Sequence, residues 1–166
     1  MARLSLYFPV MPHAVNRAWG VCDPVYEAFG FSRHNGVDLA LKDEQSIFAP
    51  FDCRVTKVGM EPEGSGLYVC LLSRGRHGFD DDIESRVELT FMHLSKTWVK
   101  VGMSLSVGDL VALGGHSGKT TGSHTHMAPK RVRMTLLGSY RDLDRNDANN
   151  TFDPEPYWNG QYAKRR

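Results

Sequence analysis

This sequence has few cysteines and no long apolar run, which argues against a disulfide-framework protein and against a membrane-spanning one. The 166 residues include three cysteines, none in a Cys-x-x-Cys spacing, and an odd number cannot form a fully paired disulfide framework. We expect Cys22, Cys53 and Cys70 to be small core residues rather than ligands or nucleophiles. No apolar run approaches the roughly 20 residues of a membrane-spanning helix, so no membrane span is expected.

An excess of charge of one sign is also absent. Lys and Arg number 20 against 19 Asp and Glu, a formal net charge of +1, which gives no reason to expect a nucleic-acid partner. The basic segments 130–133 and 164–166 are interpreted as a solvated edge and a charged tail, with attraction to an anionic polymer such as a cell wall as a weaker alternative. Residues 1–10 contain no apolar stretch followed by a small-residue cleavage site, so no secretion signal is visible.

Helical periodicity is missing from the first 140 residues, where short β-rich runs alternate with Gly, Pro and Asp. This pattern is typical of a mainly β fold, an antiparallel β sandwich or barrel-like sheet with few short helices. The length suits a single domain over residues 1–166. Strands are predicted at 46–50, 53–59, 67–72, 86–93, 107–113 and 123–128.

Two segments look like binding sites but lack part of the required pattern. The polar stretch 73–82 has three consecutive Asp residues but not the spaced ligands and following Glu of a calcium loop, so we expect an exposed hairpin loop with His77 on its surface. Gly118-Lys119-Thr120 resembles the end of a phosphate-binding loop, but Leu113 occupies the position of the first glycine. Neither calcium nor nucleotide binding is therefore predicted.

Four residues are spaced in a way that suits a metal ion. His124 and His126 project from the same side of an extended strand because side chains alternate faces, and His34 and Asp38 are also separated by an even number. Zinc in hydrolases commonly takes three N or O ligands and leaves one position for water. The sequence therefore predicts a catalytic zinc site.

The other histidines differ in how strongly they support a metal site. A lone histidine is usually structural or exposed, and His13 is assigned to that class. His93 stands in Met92-His93-Leu94-Ser95, and a glycine-rich segment, 114–124, leads to the paired histidines. Together with the four residues above, these two segments make an ordered set that chance explains poorly.

The order of these motifs resembles the lysostaphin-like, or LytM-type, zinc metalloendopeptidases, a family with the duplicated hybrid motif fold. The segment from His34 to Asp38 is similar to the family's His-x-Gly-x-Asp signature, and residues 91–95 are similar to its Tyr-x-His-Leu-Ser segment. Residues 117–126 resemble Thr-Gly-x-x-x-Gly-x-His-x-His, with Ser117 in place of the Thr. The resemblance spans about residues 19–135, and we expect residues 143–166 to form an extension packed on this domain.

Carried over position by position, the resemblance implies that His34, Asp38 and His126 bind one Zn²⁺ per chain. It implies that His93 and His124 flank the metal without binding it. One of these two imidazoles would take a proton from water and return it to the leaving amine, and the other would donate a hydrogen bond to the oxyanion. The sequence leaves open which does which.

The chain also departs from the family pattern, although no implied ligand is lost. Thr125 replaces the usual Leu between the paired histidines, Met127-Ala128 replaces Phe-Glu, and Cys53 stands where a turn glycine is common. These changes concern the packing beneath the site and substrate preference. His116 is the histidine most easily mistaken for a ligand, and a place along the cleft is the role considered for it.

The resemblance implies a zinc-dependent endopeptidase that hydrolyses peptide bonds in bacterial peptidoglycan stem peptides or cross-bridges. Two alternatives stay open: an inactive module of the same fold that binds or activates cell-wall amidases, and an intracellular zinc hydrolase of a small non-peptide substrate. Action on the extracellular or periplasmic face of the wall without a visible signal suits a phage-encoded or virion-associated lysin, or a chain trimmed of its leader. A glycyl-glycine bond and a D-alanyl cross-link are both compatible with the sequence.

Overall fold

Short strands make up most of the regular structure of this chain. The structure is a computed structural model and describes residues 2–136, 139–144, 146 and 148–163. The strands of this described part are β1 (Leu6–Phe8), β2 (Val15–Arg17), β3 (Val37–Ala40), β4 (Ser46–Phe48), β5 (Cys53–Glu61), β6 (Gly66–Ser73), β7 (Arg86–Thr97), β8 (Ser104–Leu105), β9 (Leu110–Gly114), β10 (His124–Met134), β11 (Tyr140–Asp142) and β12 (Trp158–Tyr162). The helical elements among these described residues are two 3₁₀ helices, Pro24–Phe29 and Glu155–Tyr157.

Alternation of apolar and polar side chains explains the central strand of the sheet. In β7 the side chains of Val87, Leu89 and Phe91 are fully buried, and those between them are partly exposed. Antiparallel pairing of β7 with β6 and β10, and of β6 with β5, builds the rest of the centre. The predicted mainly β, antiparallel fold is confirmed.

The strand order places distant parts of the sequence side by side. The main sheet runs β2-β3-β10-β7-β6-β5-β8, while β9 pairs with both β7 and β4, and β11 pairs with β10. The neighbours β3 and β10 are antiparallel, with Asp38 opposite His126 and Ala40 opposite His124. This register positions the site described below.

The first and last strands of the chain pair with each other. β1 and β12 are parallel, which is an exception to the antiparallel pattern that local sequence favours. Phe152, Tyr157 and Trp158 from the C-terminal segment pack against the core, and the Nε1–H of Trp19 donates a hydrogen bond of 2.9 Å to Oγ1 of Thr151. Residues 145, 147 and 164–166 of the predicted extension, including its basic tail, lie outside the described residues.

Two sequence-based expectations about single residues are wrong. Cys22 is exposed, whereas Cys53 and Cys70 are buried as expected. His77 is half-buried, because its backbone forms an isolated bridge with Ser85 and its ring lies against Phe51. Within the described residues, no helix has the length and apolar character needed to cross a membrane.

Candidate metal centre

Strand register brings part of the candidate site together and a loop supplies the rest. Asp38 on β3 and His126 on β10 are direct cross-strand partners, and His124 lies on the same face of β10 two residues away. His34 lies in the loop that precedes β3, so an extended backbone does not explain its direction. Main-chain hydrogen bonds hold it instead: its N–H donates to the Val21 carbonyl, and its carbonyl accepts from the Gly20 N–H, both at 2.9 Å.

Three side chains converge on one point. Nε2 of His34 lies 3.1 Å from Oδ1 of Asp38 and 3.0 Å from Nδ1 of His126, and the distance from that Nδ1 to Oδ1 is 2.9 Å. A tetrahedral zinc with ligand bonds near 2.0–2.1 Å has ligand atoms roughly 3.3 Å apart. The triangle is slightly smaller than this, and outward shifts of a few tenths of an ångström, on the order of the spread in zinc–ligand distances, would match it.

The chemistry of these three atoms also fits a cation. Nδ1 of His34 lies 2.8 Å from the Ala18 carbonyl, which can only accept a hydrogen bond, so Nδ1 carries the proton and Nε2 presents a lone pair to the site. A ligand histidine oriented through its other ring nitrogen is the usual arrangement in metal sites. The ring of Tyr26 stacks on the His34 imidazole at 5.1 Å, which further restricts its rotation.

Burial and hydrogen bonding set the charges of the site. Burial opposes ionisation of the Asp38 carboxyl, but the adjacent imidazoles of His126 and His34 outweigh it and hold the pKa of Asp38 well below its usual range. Burial lowers the pKa of His126, and the neighbouring Asp38 only partly offsets this. A carboxylate beside neutral imidazoles is the protonation state that binds metal ions.

Two further imidazoles line the same cleft. The rings of His93 and His124 are 4.8 Å apart, and Nε2 of His124 lies 3.7 Å from Oδ1 of Asp38. Each ring has its Nδ1 at 2.9 Å from a main-chain carbonyl, that of Ser117 for His93 and that of Gly122 for His124. Nδ1 is therefore the donor in both, and burial lowers the pKa of His93 to about 4, so that its Nε2 carries a lone pair at neutral pH.

Ser117 connects the backbone segments around His93 through hydrogen bonds. Its hydroxyl donates to the Leu94 carbonyl at 2.6 Å and accepts from the Leu67 N–H at 2.9 Å, while its own carbonyl accepts from His93. His93 itself has a φ of 61°, in the left-handed region of backbone conformation that residues other than glycine rarely adopt. The tip of the β5–β6 hairpin crosses the Ser117 loop where Gly66 meets Gly118, and a Cβ on Gly118 would lie 2.3 Å from the Gly66 nitrogen.

One departure from the family pattern, Thr125, lies beneath the site. Thr125 is fully buried between the two histidines of β10, where the family has Leu. Its hydroxyl donates to the Met92 carbonyl on β7 at 2.9 Å, so the buried polar group is satisfied. The substitution therefore adds a link between two central strands in place of apolar contact.

The site opens into a cleft of about 580 Å³. The five residues named by sequence reasoning, His34, Asp38, His93, His124 and His126, all line it. Sequence reasoning did not assign other lining residues to the site, because their contributions depend on the strand register and on loop contacts. These include Arg17, Tyr26, Glu61, Lys119, Thr120 and Asn149.

The remaining histidines lie elsewhere. His116 is exposed, and its Nδ1 lies 3.1 Å from Oδ1 of Asp43, so it is not among the residues that line the cleft. Oδ1 of Asp43 also accepts a hydrogen bond of 2.5 Å from the Ser123 hydroxyl. His13 stacks on Phe8 with ring centroids 4.0 Å apart, in keeping with a structural histidine.

The chain is similar to curated proteins over its central part. It is 38% identical over 93 residues to an uncharacterized metalloprotease of Haemophilus influenzae and 31% identical over 93 residues to the peptidoglycan DD-endopeptidase ShyA of Vibrio cholerae. Each match covers 56% of this chain. The chain spans about a fifth of the length of these relatives, 18% and 19%.

Solved structures share the fold, and a family profile covers the site. The catalytic domain of lysostaphin from Staphylococcus simulans superposes with a TM-score of 0.63 at 21% identity, over 87% of this chain and 91% of that domain. The profile of peptidase family M23 matches residues 32–135, the segment that holds all five cleft residues named above. The chain therefore belongs to peptidase family M23.

Proposed function

We propose that this chain is a zinc-dependent endopeptidase that hydrolyses peptide bonds in bacterial peptidoglycan. The observation that carries the proposal is the convergence of one carboxylate oxygen and two imidazole nitrogens within 4.8 Å of one another. Membership of a peptidase family and similarity to a peptidoglycan endopeptidase support the substrate class. In this proposal residues 19–135 form the catalytic core, with the segment 143–166 packed on it.

His34, Asp38 and His126 would hold the zinc ion. Zinc in such a donor set supplies Lewis acidity, which polarises a carbonyl group and makes water more acidic. The carboxylate of Asp38 contributes the one negative charge of the three ligands. The His34–Ala18 and His34–Tyr26 contacts keep the first ligand aimed at the other two.

His93 and His124 would perform the proton chemistry beside the metal. With Nδ1 of His93 donating to Ser117, its Nε2 can accept a proton from the attacking water and deliver it to the leaving amine. His124 is held in the same tautomer by Gly122, and in its protonated form its Nε2–H can donate to the developing oxyanion. Because both rings have the same Nδ1–carbonyl contact, either can fill either role, and we assign the two roles to the pair jointly.

Digestion of purified peptidoglycan tests the proposal. The protein is expected to release soluble peptides from walls in the presence of zinc, and a chelator is expected to abolish the release. Mass analysis of the products would identify the bond cleaved. A protein that binds about one zinc per chain and leaves every wall type intact would contradict the proposal and favour the inactive amidase-binding module instead.

The proposed site of action is the cell wall, because that is where the substrate lies. A phage origin stays a prediction from the sequence. The second alternative, a hydrolase of small non-peptide substrates, would be favoured if zinc-dependent turnover were found on a small ester or amide and not on peptidoglycan.

A further inference from the structure

Strand pairing places Arg17 beside one of the proposed metal ligands. On β2 it is the cross-strand partner of Asp38, and Asp38 is in turn the partner of His126 on β10. Directly opposed residues of an antiparallel pair have Cα atoms about 4.5–5.5 Å apart and side chains on the same face. The pairing of β2 with β3 shifts register between Val15 and Arg17, and beyond this shift Arg17 lines the same cleft as Asp38 and His126.

The guanidinium of Arg17 is held by Tyr26 and lies beside one carboxylate, that of Asp23. Its Nη1 donates to the Tyr26 hydroxyl at 2.7 Å, and its Cζ lies 5.6 Å from the centroid of the same ring. Its ion pair with Asp23 is 3.6 Å long, beyond hydrogen-bond range, and partly exposed. A guanidinium has five N–H donors, so the bond to Tyr26 leaves a fork of donors for a ligand in the cleft.

The other charged groups of the cleft do not duplicate this position. Lys119 is the second lining cation, and it lies on the glycine-rich loop rather than on a strand that pairs with a proposed ligand. Glu61 is the lining anion besides Asp38, and its carboxylate accepts a hydrogen bond of 2.9 Å from Ser65 at the β5–β6 hairpin. Arg17 is therefore the lining cation that strand pairing places beside a proposed metal ligand.

We propose that Arg17 binds a carboxylate of the substrate, so that the preferred peptide has a free acid close to the cleaved bond. The inference rests on the proposed peptidase function and narrows its substrate class. A guanidinium and a carboxylate match in shape and can share two parallel hydrogen bonds. A bridge made only of glycine presents neutral amides and would offer the free N–H donors of this group no carboxylate, so acid-bearing stem peptides are the substrate class assigned here.

Two synthetic cross-linked peptides that differ in one group provide the test. One has a free carboxyl next to the scissile bond, and the other has a carboxamide at the same atom. For the wild-type chain, kcat/KM is expected to be higher for the acid by about 10- to 100-fold, the equivalent of a charge-assisted hydrogen bond of 1.5–3 kcal/mol. Arg17→Gln should lose this preference through a higher KM, Arg17→Lys should recover part of it, and the amide should be cleaved at similar rates by all three.

Arg54→Gln is the matched control, since Arg54 is exposed on β5 and does not line the cleft. Calorimetric titration of the two peptides into zinc-loaded His93→Ala protein, with and without Arg17→Gln, measures binding independently of turnover. Equal affinity for acid and amide, or an equal loss of kcat on both peptides in Arg17→Gln, would overturn the carboxylate inference. Failure of the wild type to cleave either peptide or peptidoglycan would overturn the proposed function instead, and the titration would still decide the role of Arg17.

Discussion

The histidines of the cleft and the histidines of the protein body differ in what their ring nitrogens contact. In the cleft, Nδ1 of His34, His93 and His124 each faces a main-chain carbonyl at 2.8–2.9 Å. In the body, Nδ1 of His13 and Nε2 of His77 are buried without a hydrogen-bond partner among the described residues, and their rings lie against aromatic side chains.

This difference separates two uses of the same side chain. A carbonyl that accepts from Nδ1 fixes both the rotation of the ring and its tautomer, so Nε2 is presented in a defined direction. A ring held by stacking alone fills volume, and burial disfavours its charged form. Three of the four cleft histidines can thus be distinguished from structural ones by the partner of the second nitrogen, while His126 is placed by its strand register opposite Asp38, and the predictions below test that criterion.

Replacing a cleft histidine should have the largest effect. His126→Ala removes one of the three converging atoms, so we expect loss of bound zinc and a fall in wall-degrading activity of about 1,000-fold or more. Metal analysis of the purified variant and a turbidity assay measure the two. His77→Ala is the control and should retain both metal and activity; zinc retained at full stoichiometry in His126→Ala would contradict the ligand assignment.

A smaller effect is expected where the carbonyl partner of a cleft histidine is disturbed. Ser117→Ala leaves the Leu94 carbonyl and the Leu67 N–H without the hydroxyl, so the loop that holds His93 should shift. Misplacement of a catalytic group by about 1 Å can cost on the order of 100-fold, and we expect kcat to fall about 10- to 100-fold with zinc content unchanged. Ser117→Thr retains a hydroxyl and should recover most of kcat. An equal fall in both variants would indicate general destabilisation.

An exposed histidine paired only with a side chain should matter little for catalysis. His116→Ala removes the contact with Asp43, which still accepts from Ser123. Kinetics on peptidoglycan fragments should give kcat and KM within about twofold of wild type, the range of surface substitutions. A large loss of kcat would mean that an outward-facing histidine can be catalytic here, and the criterion would fail.

The smallest effect concerns acid stability. Burial lowers the pKa of His77, so the unfolded chain binds the proton more readily, and this group contributes stability that is lost as pH falls below its ordinary value of about 6.5. His77→Phe should therefore lose less thermal stability than wild type between pH 7 and pH 5, with a difference in Tm of no more than about 2–4 °C. Activity should not change. His116→Phe, an exposed control, should follow wild type, and the absence of any difference would assign the acid sensitivity to other groups.

Local patterns in the sequence predicted six strands of the described residues, β4, β5, β6, β7, β9 and β10, and the family resemblance added the residues proposed for the metal centre. Alternation in β7 and the β-rich runs of β5 and β6 predict strands whose cores match the structure, with ends displaced by a few residues. The even spacing of His124 and His126 correctly predicts a shared face. The direction of His34 was predicted from an extended backbone, and that reason is incorrect. Contacts with Val21, Gly20 and Ala18 orient this side chain instead.

Features that depend on distant contacts did not follow from the sequence. The parallel pairing of β1 with β12 joins segments about 150 residues apart, and no local signal encodes it. Arg17 enters the cleft only because β2 adds to the edge of β3, and Tyr26 only because the 3₁₀ helix Pro24–Phe29 places it over His34. Exposure of Cys22 likewise depends on the path of a loop that has no periodicity.

The left-handed backbone at His93 has a consequence for laboratory evolution. A non-glycine residue in this conformation costs of order 1–3 kcal/mol, and asparagine or glycine would relieve much of it. Screening variants for heat resistance alone should therefore enrich His93→Gly or His93→Asn, which are more stable and have lost an imidazole of the proposed proton relay. A screen that also demands turnover should retain the strained residue and improve the protein elsewhere.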